Sequence, residues 1–147
     1  MKADPRRRDP AAYPWSATLE TRFADMDVNR HLNNVAIARF FEETRIRFNW
    51  ELIAKARGTA QPMERPRYLV AHVAIDYLGE GSYPEPVTMT YAVGNIGTSS
   101  FRSLMGMFQA GTCIALCDSV LVFRGETGPS PLPAELRTRL EAFPLAG

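Results

Sequence analysis

The chain has 147 residues, of which 46% are hydrophobic and 22% charged, and its formal net charge is +1. This size and composition are typical of one globular domain rather than a disordered chain. The near-neutral charge, with no basic stripe carrying interleaved aromatic residues, argues against nucleic-acid binding. No hydrophobic run reaches the roughly 18–20 residues that span a bilayer, and the polar N-terminus lacks a signal-peptide core. We therefore expect no membrane association and a cytoplasmic location.

Residues 1–15 are predicted to form a flexible N-terminal tail, because they are rich in proline, arginine and aspartate. Their basic run, Arg6-Arg7-Arg8, is interpreted as solvated, and a contact with phosphate is the alternative. Residues 16–143 are predicted to form a single domain.

A first strand is predicted over residues 16–24, followed by a polar turn. Hydrophobic residues then recur at three- and four-residue spacing over residues 33–56, which predicts one long helix. Asn33 or Asn34 can cap its N-terminus and Gly58 can end it. The acidic and basic residues within it are interpreted as ion pairs on solvated stretches: Arg39, Glu42, Glu43, Arg45 and Arg47.

Four further strands are predicted over residues 68–78, 87–93, 100–109 and 113–124, and a short helix over residues 133–142. Short connections predict antiparallel neighbours. The expected fold class is α+β, an antiparallel sheet wrapped around the one long helix, which is the element able to cover it. Such a sheet leaves edges to protect, so a homodimer or homotetramer is expected.

The last long strand carries three residues whose side chains need an explanation. Cys113 and Cys117 would lie on one face about 13 Å apart, too far for a disulfide, and are interpreted as small buried thiols. A metal site is not indicated, because no other metal-ligating residues are evident near the two cysteines. Asp118 shares a face with hydrophobic residues, so it must be hydrogen-bonded, at a sheet edge or at an interface.

The polar turn before the long helix is the strongest indication of chemistry. It contains Asp25, Asp27, His31, Asn33 and Asn34. Free N–H groups and the positive end of the dipole at a helix N-terminus favour developing negative charge. A carboxylate beside such a site has what acyl transfer needs, namely a base or nucleophile and an oxyanion site.

Four other kinds of site are excluded by the motifs. A calcium loop beginning at Asp25 would need glycine and glutamate where Arg30 and Ala36 stand. A serine-hydrolase elbow, a dinucleotide-binding loop and a phosphate-binding P-loop are all missing from the sequence, and no cofactor is expected. The hydroxyl-rich segment Thr98-Ser99-Ser100 has two interpretations, a hairpin turn or a cradle for a polar ligand such as a phosphopantetheine arm.

Two motifs carry a resemblance to a known family. D-x-D-x-x-x-H-x-N-N over residues 25–34 and F-E-E-x-R over residues 41–45 resemble the hotdog-fold acyl-CoA thioesterases of the 4-hydroxybenzoyl-CoA thioesterase type. Weaker similarities continue in the same order, so that the resemblance covers roughly residues 17–143. It implies the helix-and-sheet layout already predicted, and active sites at the interface between subunits.

The resemblance also implies roles for particular residues. Asp27 would be the catalytic carboxylate, either as nucleophile or as general base. The helix N-terminal amide near Asn34 would polarise the thioester oxygen, and His31 and Asn33 would shape the site. The residues near the pantetheine or nucleotide end of the substrate would be Thr98, Ser99 and Ser100.

The expected activity is hydrolysis of an acyl-CoA thioester to acid and CoA. The alternatives are an acyl-carrier-protein thioesterase, a dehydratase-like hotdog enzyme, or a non-catalytic dimer that binds acyl thioesters. The chain departs from the family pattern at Arg30, where glycine is common, and at Ile37, where tyrosine is common. The first change predicts a locally different turn and the second a more aliphatic acyl pocket.

Overall fold

The computed structural model describes residues 4–57 and 68–147. The strands and helices are, in chain order, β1 Trp15–Leu19, α1 Asn34–Arg57, β2 Tyr68–Tyr77, β3 Val87–Ile96, β4 Ser100–Gln109, β5 Thr112–Gly125, β6 Gly128–Pro129 and α2 Ala134–Leu140. Short 3₁₀ turns lie at Pro5–Arg8, Pro10–Ala12 and Phe23–Asp25. Neither helix, over the described residues, is long and apolar enough to cross a membrane.

The sheet is antiparallel throughout, with the strand order β1-β3-β4-β5-β2 and β6 paired to the end of β5. One face of β3 is buried under α1, and it carries the predicted alternating residues Val87, Met89, Tyr91 and Val93. This confirms the α+β class and the sheet wrapped around one long helix.

Helix α1 packs on the sheet through residues at the spacing of a helical face, Ile37, Phe41, Phe48 and Leu52. Phe48 stacks on Tyr91 with their ring centroids 3.8 Å apart. Burial of each large hydrophobic side chain contributes about 1.5–3 kcal/mol, so this face holds the helix on the sheet. The predicted stop at Gly58 lies outside the described residues.

The predicted pairing of consecutive strands is wrong for β2. It pairs with β5 at one edge of the sheet, whereas β3 lies three strand positions away. Three positions are about 14 Å, and the nine residues 78–86 can span about 30 Å, so this connection crosses the sheet instead of turning back. Two other boundaries differ: β1 ends at Leu19 rather than at residue 24, and β3 continues past residue 93 to Ile96.

The prediction of a flexible N-terminal tail also needs correction, because residues 4–15 pack against the sheet. Arg7 is buried on the face opposite α1, where its guanidinium forms an ion pair with Asp118. It also donates hydrogen bonds to the carbonyls of Met105 (3.2 Å) and Cys117 (3.1 Å). The buried Tyr13 donates to the Arg7 carbonyl at 2.9 Å. Asp118 is therefore hydrogen-bonded, which is one of the three explanations expected for it.

The C-terminal segment runs beside β3 next to the start of β1, with Pro144 in a bridge to Val93. The Val93 amide donates to the Phe143 carbonyl at 2.7 Å, and the Ala146 amide donates to the Ala12 carbonyl at 2.8 Å. Phe143 packs on the α1 side, with its ring centroid 5.1 Å from that of Phe48, whereas Leu145 packs against the outer cluster that contains Tyr13.

Candidate active site

The polar turn is a closed loop held by backbone hydrogen bonds. Met26 pairs with Leu32 in an antiparallel bridge, and the Asp27 amide donates to the His31 carbonyl at 2.9 Å. The Arg30 amide donates to the Asp27 carbonyl at 3.0 Å. We call residues 26–32 the Asp27 loop. It presents Asp27 directly before the cap of α1.

The Asp27 side chain organises its own loop. Its Oδ1 accepts from the amides of Asn29 (2.8 Å) and His31 (3.4 Å). Its Oδ2 has no hydrogen-bond partner among the described residues, and the residue is exposed. One carboxylate oxygen is thus anchored while the other is available to a ligand.

Arg30 has a φ of 63°, in the left-handed region that favours glycine. This conformation returns the chain from Asp27 to His31. The loop therefore closes here with an arginine in a conformation that a glycine would adopt with less strain.

The N-terminus of α1 supplies hydrogen-bond donors next to the loop. Asn33 is the N-cap, because its Oδ1 accepts from the Ala36 amide at 2.7 Å. The amides of Asn34 and Val35 have no acceptor among the described residues. These two N–H groups and the positive end of the helix dipole favour a negatively charged group placed next to them.

His31 is not directed at Asp27 through its ring. Its Nε2 lies 3.1 Å from Oε2 of Glu80, in the connection between β2 and β3. Only its backbone reaches the Asp27 carboxylate. Sequence reasoning missed Glu80, because nothing local relates it to a residue 49 positions earlier.

Asp25 has a structural position. It is buried, its Oδ2 accepts from the Arg22 amide at 2.8 Å, and its carbonyl accepts from the Asn33 amide at 2.9 Å. It therefore connects the 3₁₀ turn before the loop to the cap of α1. Of the two aspartates, Asp27 is the one exposed to a ligand.

Thr98, Ser99 and Ser100 lie far from Asp27 in the same protomer. They form the β3–β4 hairpin, whose carbonyls bind the amides of Phe123 and Leu132. Asp27 follows β1, whose last residue is opposite the first residue of β3, whereas the hairpin follows the last residue of β3. Ten strand residues separate these ends by about 30 Å. The hairpin interpretation is confirmed, and the two groups are not brought together within one chain.

Neither described cysteine is an activated nucleophile. Burial raises the pKa of the Cys117 thiol to about 12, and it raises the pKa of Cys113 above its ordinary value. A thiol with a raised pKa holds little thiolate at neutral pH.

The sequence matches the model of the thioesterase-like superfamily over residues 21–140. The chain belongs to this superfamily. The match spans the Asp27 loop, α1 and the whole sheet from β2 onward, and membership supports thioester hydrolysis as the class of reaction. Comparison with curated proteins finds no match.

Solved structures share the fold of this thioesterase-like chain. A Bacillus stearothermophilus protein described as a predicted thioesterase aligns with a TM-score of 0.79 at 24% identity, over 90% of this chain and 98% of its own. A thioesterase from Thermus thermophilus, complexed with coenzyme A and zinc, aligns at 0.75 and 25%, over 89% and 94%. A Pseudomonas aeruginosa protein aligns at 0.76 and 28%, over 95% and 96%.

Proposed function

We propose that this protein hydrolyses acyl-CoA thioesters with Asp27 as the catalytic carboxylate. The observation that carries the proposal is the placement of an exposed carboxylate, anchored by one oxygen, beside two unpaired N–H groups of α1. Family membership supports the reaction class. The Thermus structure that contains coenzyme A supports CoA as the carrier.

The proposed reaction needs two groups of this chain. The Asp27 carboxylate either takes a proton from a water that attacks the thioester carbonyl or attacks it directly. The Asn34 and Val35 amides stabilise the oxyanion that forms. The carbon–sulfur bond then breaks, the CoA sulfur leaves with a proton, and water supplies the new oxygen of the acid.

The position of the predicted carrier-binding residues, Thr98, Ser99 and Ser100, suggests how two copies of the chain assemble. Because the β3–β4 hairpin lies about 30 Å from Asp27 in one protomer, we propose that it serves the active site of a second copy. Strand β2 is an edge strand that exposes the hydrophobic side chains of Leu69, Val70, Val73 and Tyr77. An edge of this kind is suited to pairing with the same strand of another copy.

Asp27→Asn tests the role of the carboxylate without removing the loop's hydrogen bonds. The amide oxygen of asparagine can still accept from the Asn29 and His31 amides, but it cannot act as a base. We expect turnover of acyl-CoA substrates, measured by release of free thiol, to fall at least about 100-fold. Thermal unfolding should be nearly unchanged.

Glu20→Gln is the matched control, because it neutralises an exposed carboxylate shortly before the loop. It should retain wild-type turnover. Near-normal hydrolysis by Asp27→Asn would overturn the assignment of Asp27. Tight binding of acyl-CoA by the wild type without turnover would instead support a non-catalytic binding protein.

A further inference from the structure

Helix α1 buries a positive charge in the protein core. Arg45 is only 8% exposed and Asn49, one turn later on the same face, is 9% exposed. The Nη1 of Arg45 and the Oδ1 of Asn49 are buried without a hydrogen-bond partner, and no described carboxylate forms an ion pair with Arg45. This corrects the expectation that Arg45 belongs to a solvated stretch, whereas Glu43 and Arg47 do form the expected pair, at 3.0 Å.

Two tyrosines of the sheet bring further buried polar atoms to the same region. The hydroxyl of Tyr68 on β2 is buried without a partner, and the hydroxyl of Tyr91 on β3 is buried near the side chain of Ser103. Burial raises the pKa of both tyrosines; at Tyr91 the hydrogen bond with Ser103 opposes this rise most, and the charge of Arg45 opposes it less. Both therefore present neutral hydroxyl groups at neutral pH. We call Arg45, Asn49, Tyr68 and Tyr91 the Arg45 cluster.

An uncompensated charge in a protein interior is strongly unfavourable, because no partner offsets the cost of desolvation. The other buried arginine of the described residues, Arg7, has both an ion pair and two carbonyl acceptors. The Arg45 cluster thus lacks the counter-charge and the carbonyl acceptors that Arg7 has. The Arg45 guanidinium and the tyrosine hydroxyls supply one positive charge and several donors, which match a group with one negative charge and two acceptor oxygens, a carboxylate. The unpaired Oδ1 of Asn49 is an acceptor, so it can take a hydrogen bond only from one of these donors.

The Arg45 cluster lies further along α1 than the proposed reaction centre, which is at the N-terminus of this helix. Arg45 is eleven residues after Asn34, about 16 Å along the axis, and helical side chains point back toward the N-terminus. Val73 and Tyr77 of β2 lie opposite Ser119 and Ala115 on the side that faces α1, and both are exposed in the single chain. The second copy proposed above would therefore border the space beside this path.

We propose that the Arg45 cluster holds a carboxylate at the far end of the acyl group, so that the preferred substrates are CoA thioesters of dicarboxylic acids. This inference rests on the proposed hydrolysis of acyl-CoA and names its substrate class. The reacting carbonyl lies at the N-terminus of α1, and the distal carboxylate pairs with Arg45 inside the core.

The test compares pairs of CoA thioesters of equal chain length, one ending in a carboxylate and one in a methyl group. We expect wild-type kcat/KM to favour the carboxylate at least about 10-fold at the best length. Arg45→Met should lower kcat/KM for that substrate about 100-fold, since a buried charge pair is lost, and leave the methyl-ended substrate within about 3-fold. Arg45→Lys keeps the charge without the planar fork and should lie between.

A binding measurement separates this site from catalysis. In the Asp27→Asn background, calorimetry with the carboxylate-ended CoA thioester should show weaker binding after Arg45→Met. Arg45→Met should also unfold at a higher temperature than the ligand-free wild type, because it removes an unpaired buried charge. A purely structural arginine predicts a lower unfolding temperature.

The outcomes are distinguishable. If the wild type hydrolyses methyl-ended thioesters equally well or better at every length, the inference is overturned while the proposed function stands. An unchanged preference in Arg45→Met, as expected if water or a partner subunit's carboxylate neutralises the cluster, also overturns it. If no CoA thioester of either series is hydrolysed, the proposed function itself fails.

Discussion

At the scale of single residues, Arg30 is one of two non-glycine residues of the described chain with a positive φ, at 63°, the other being Ala110 at 49°. The left-handed region costs an L-residue about 1–2 kcal/mol, whereas glycine loses about 0.5–1 kcal/mol through additional chain entropy. We therefore expect Arg30→Gly to raise the free energy of unfolding by about 0.5–1 kcal/mol, measured by urea denaturation.

Arg30→Ala is the matched control, because it removes the same long side chain but retains Cβ and therefore the strain. It should not gain the stability of the glycine variant. If Arg30→Gly is less stable than Arg30→Ala, the arginine side chain must stabilise the loop by contacts that outweigh its backbone strain.

The residues of the loop also show where local patterns stop being informative. The spacing of Asp27, His31 and Asn33 before a helical pattern was sufficient to predict a site and a cap, and Asn33 is the cap. The orientation of the His31 ring was not predictable, because it depends on Glu80 in a distant connection.

At the scale of elements, the segment before β1 is part of the folded domain through Arg7 and Asp118. Arg7→Met would leave the Asp118 carboxylate without its partner on the outer face of the sheet. We expect the free energy of unfolding to fall by about 3 kcal/mol, measured by chemical denaturation. The double variant Arg7→Met with Asp118→Leu should recover most of this loss.

The adjacent arginine provides the comparison, since Arg8 is exposed. Arg8→Met should change the free energy of unfolding by no more than about 0.5 kcal/mol. A similarly small effect of Arg7→Met would mean that residues 4–15 contribute nothing to the domain, as a loose tail would.

The long helix and the strands were predictable as elements because their patterns are local. Hydrophobic spacing of three and four residues defines α1, and alternation defines β3. The neighbours of β2 were not predictable in this way. A connection of nine residues permits either a return or a crossing, and the chain crosses.

At the scale of the whole molecule, the proposed assembly through β2 has a direct test. Val73 is exposed at this edge, and Val73→Arg places a charge where a second copy would pair. We expect the wild type to be a dimer or tetramer by light scattering after size exclusion, and Val73→Arg to shift it toward a monomer. Activity should fall with the oligomer if the active site spans two copies.

Thr18→Arg is the corresponding change on β1, at the opposite edge of the sheet. It should leave the oligomer intact. A monomeric wild type at micromolar concentration, or equal effects of the two variants, would contradict pairing through β2.

The sequence by itself determined the fold class and the long helix with a cap at Asn33 or Asn34, and the family resemblance of the polar turn singled out Asp27 as the candidate base or nucleophile. These depend on residue types within a few positions of each other. Only the tertiary structure decided that Arg7 and Asp118 pair, that the β3–β4 hairpin lies far from Asp27, and that Arg45 is buried without a counter-charge among the described residues. Each of these depends on which distant segments the fold brings together or keeps apart, and no local periodicity encodes that.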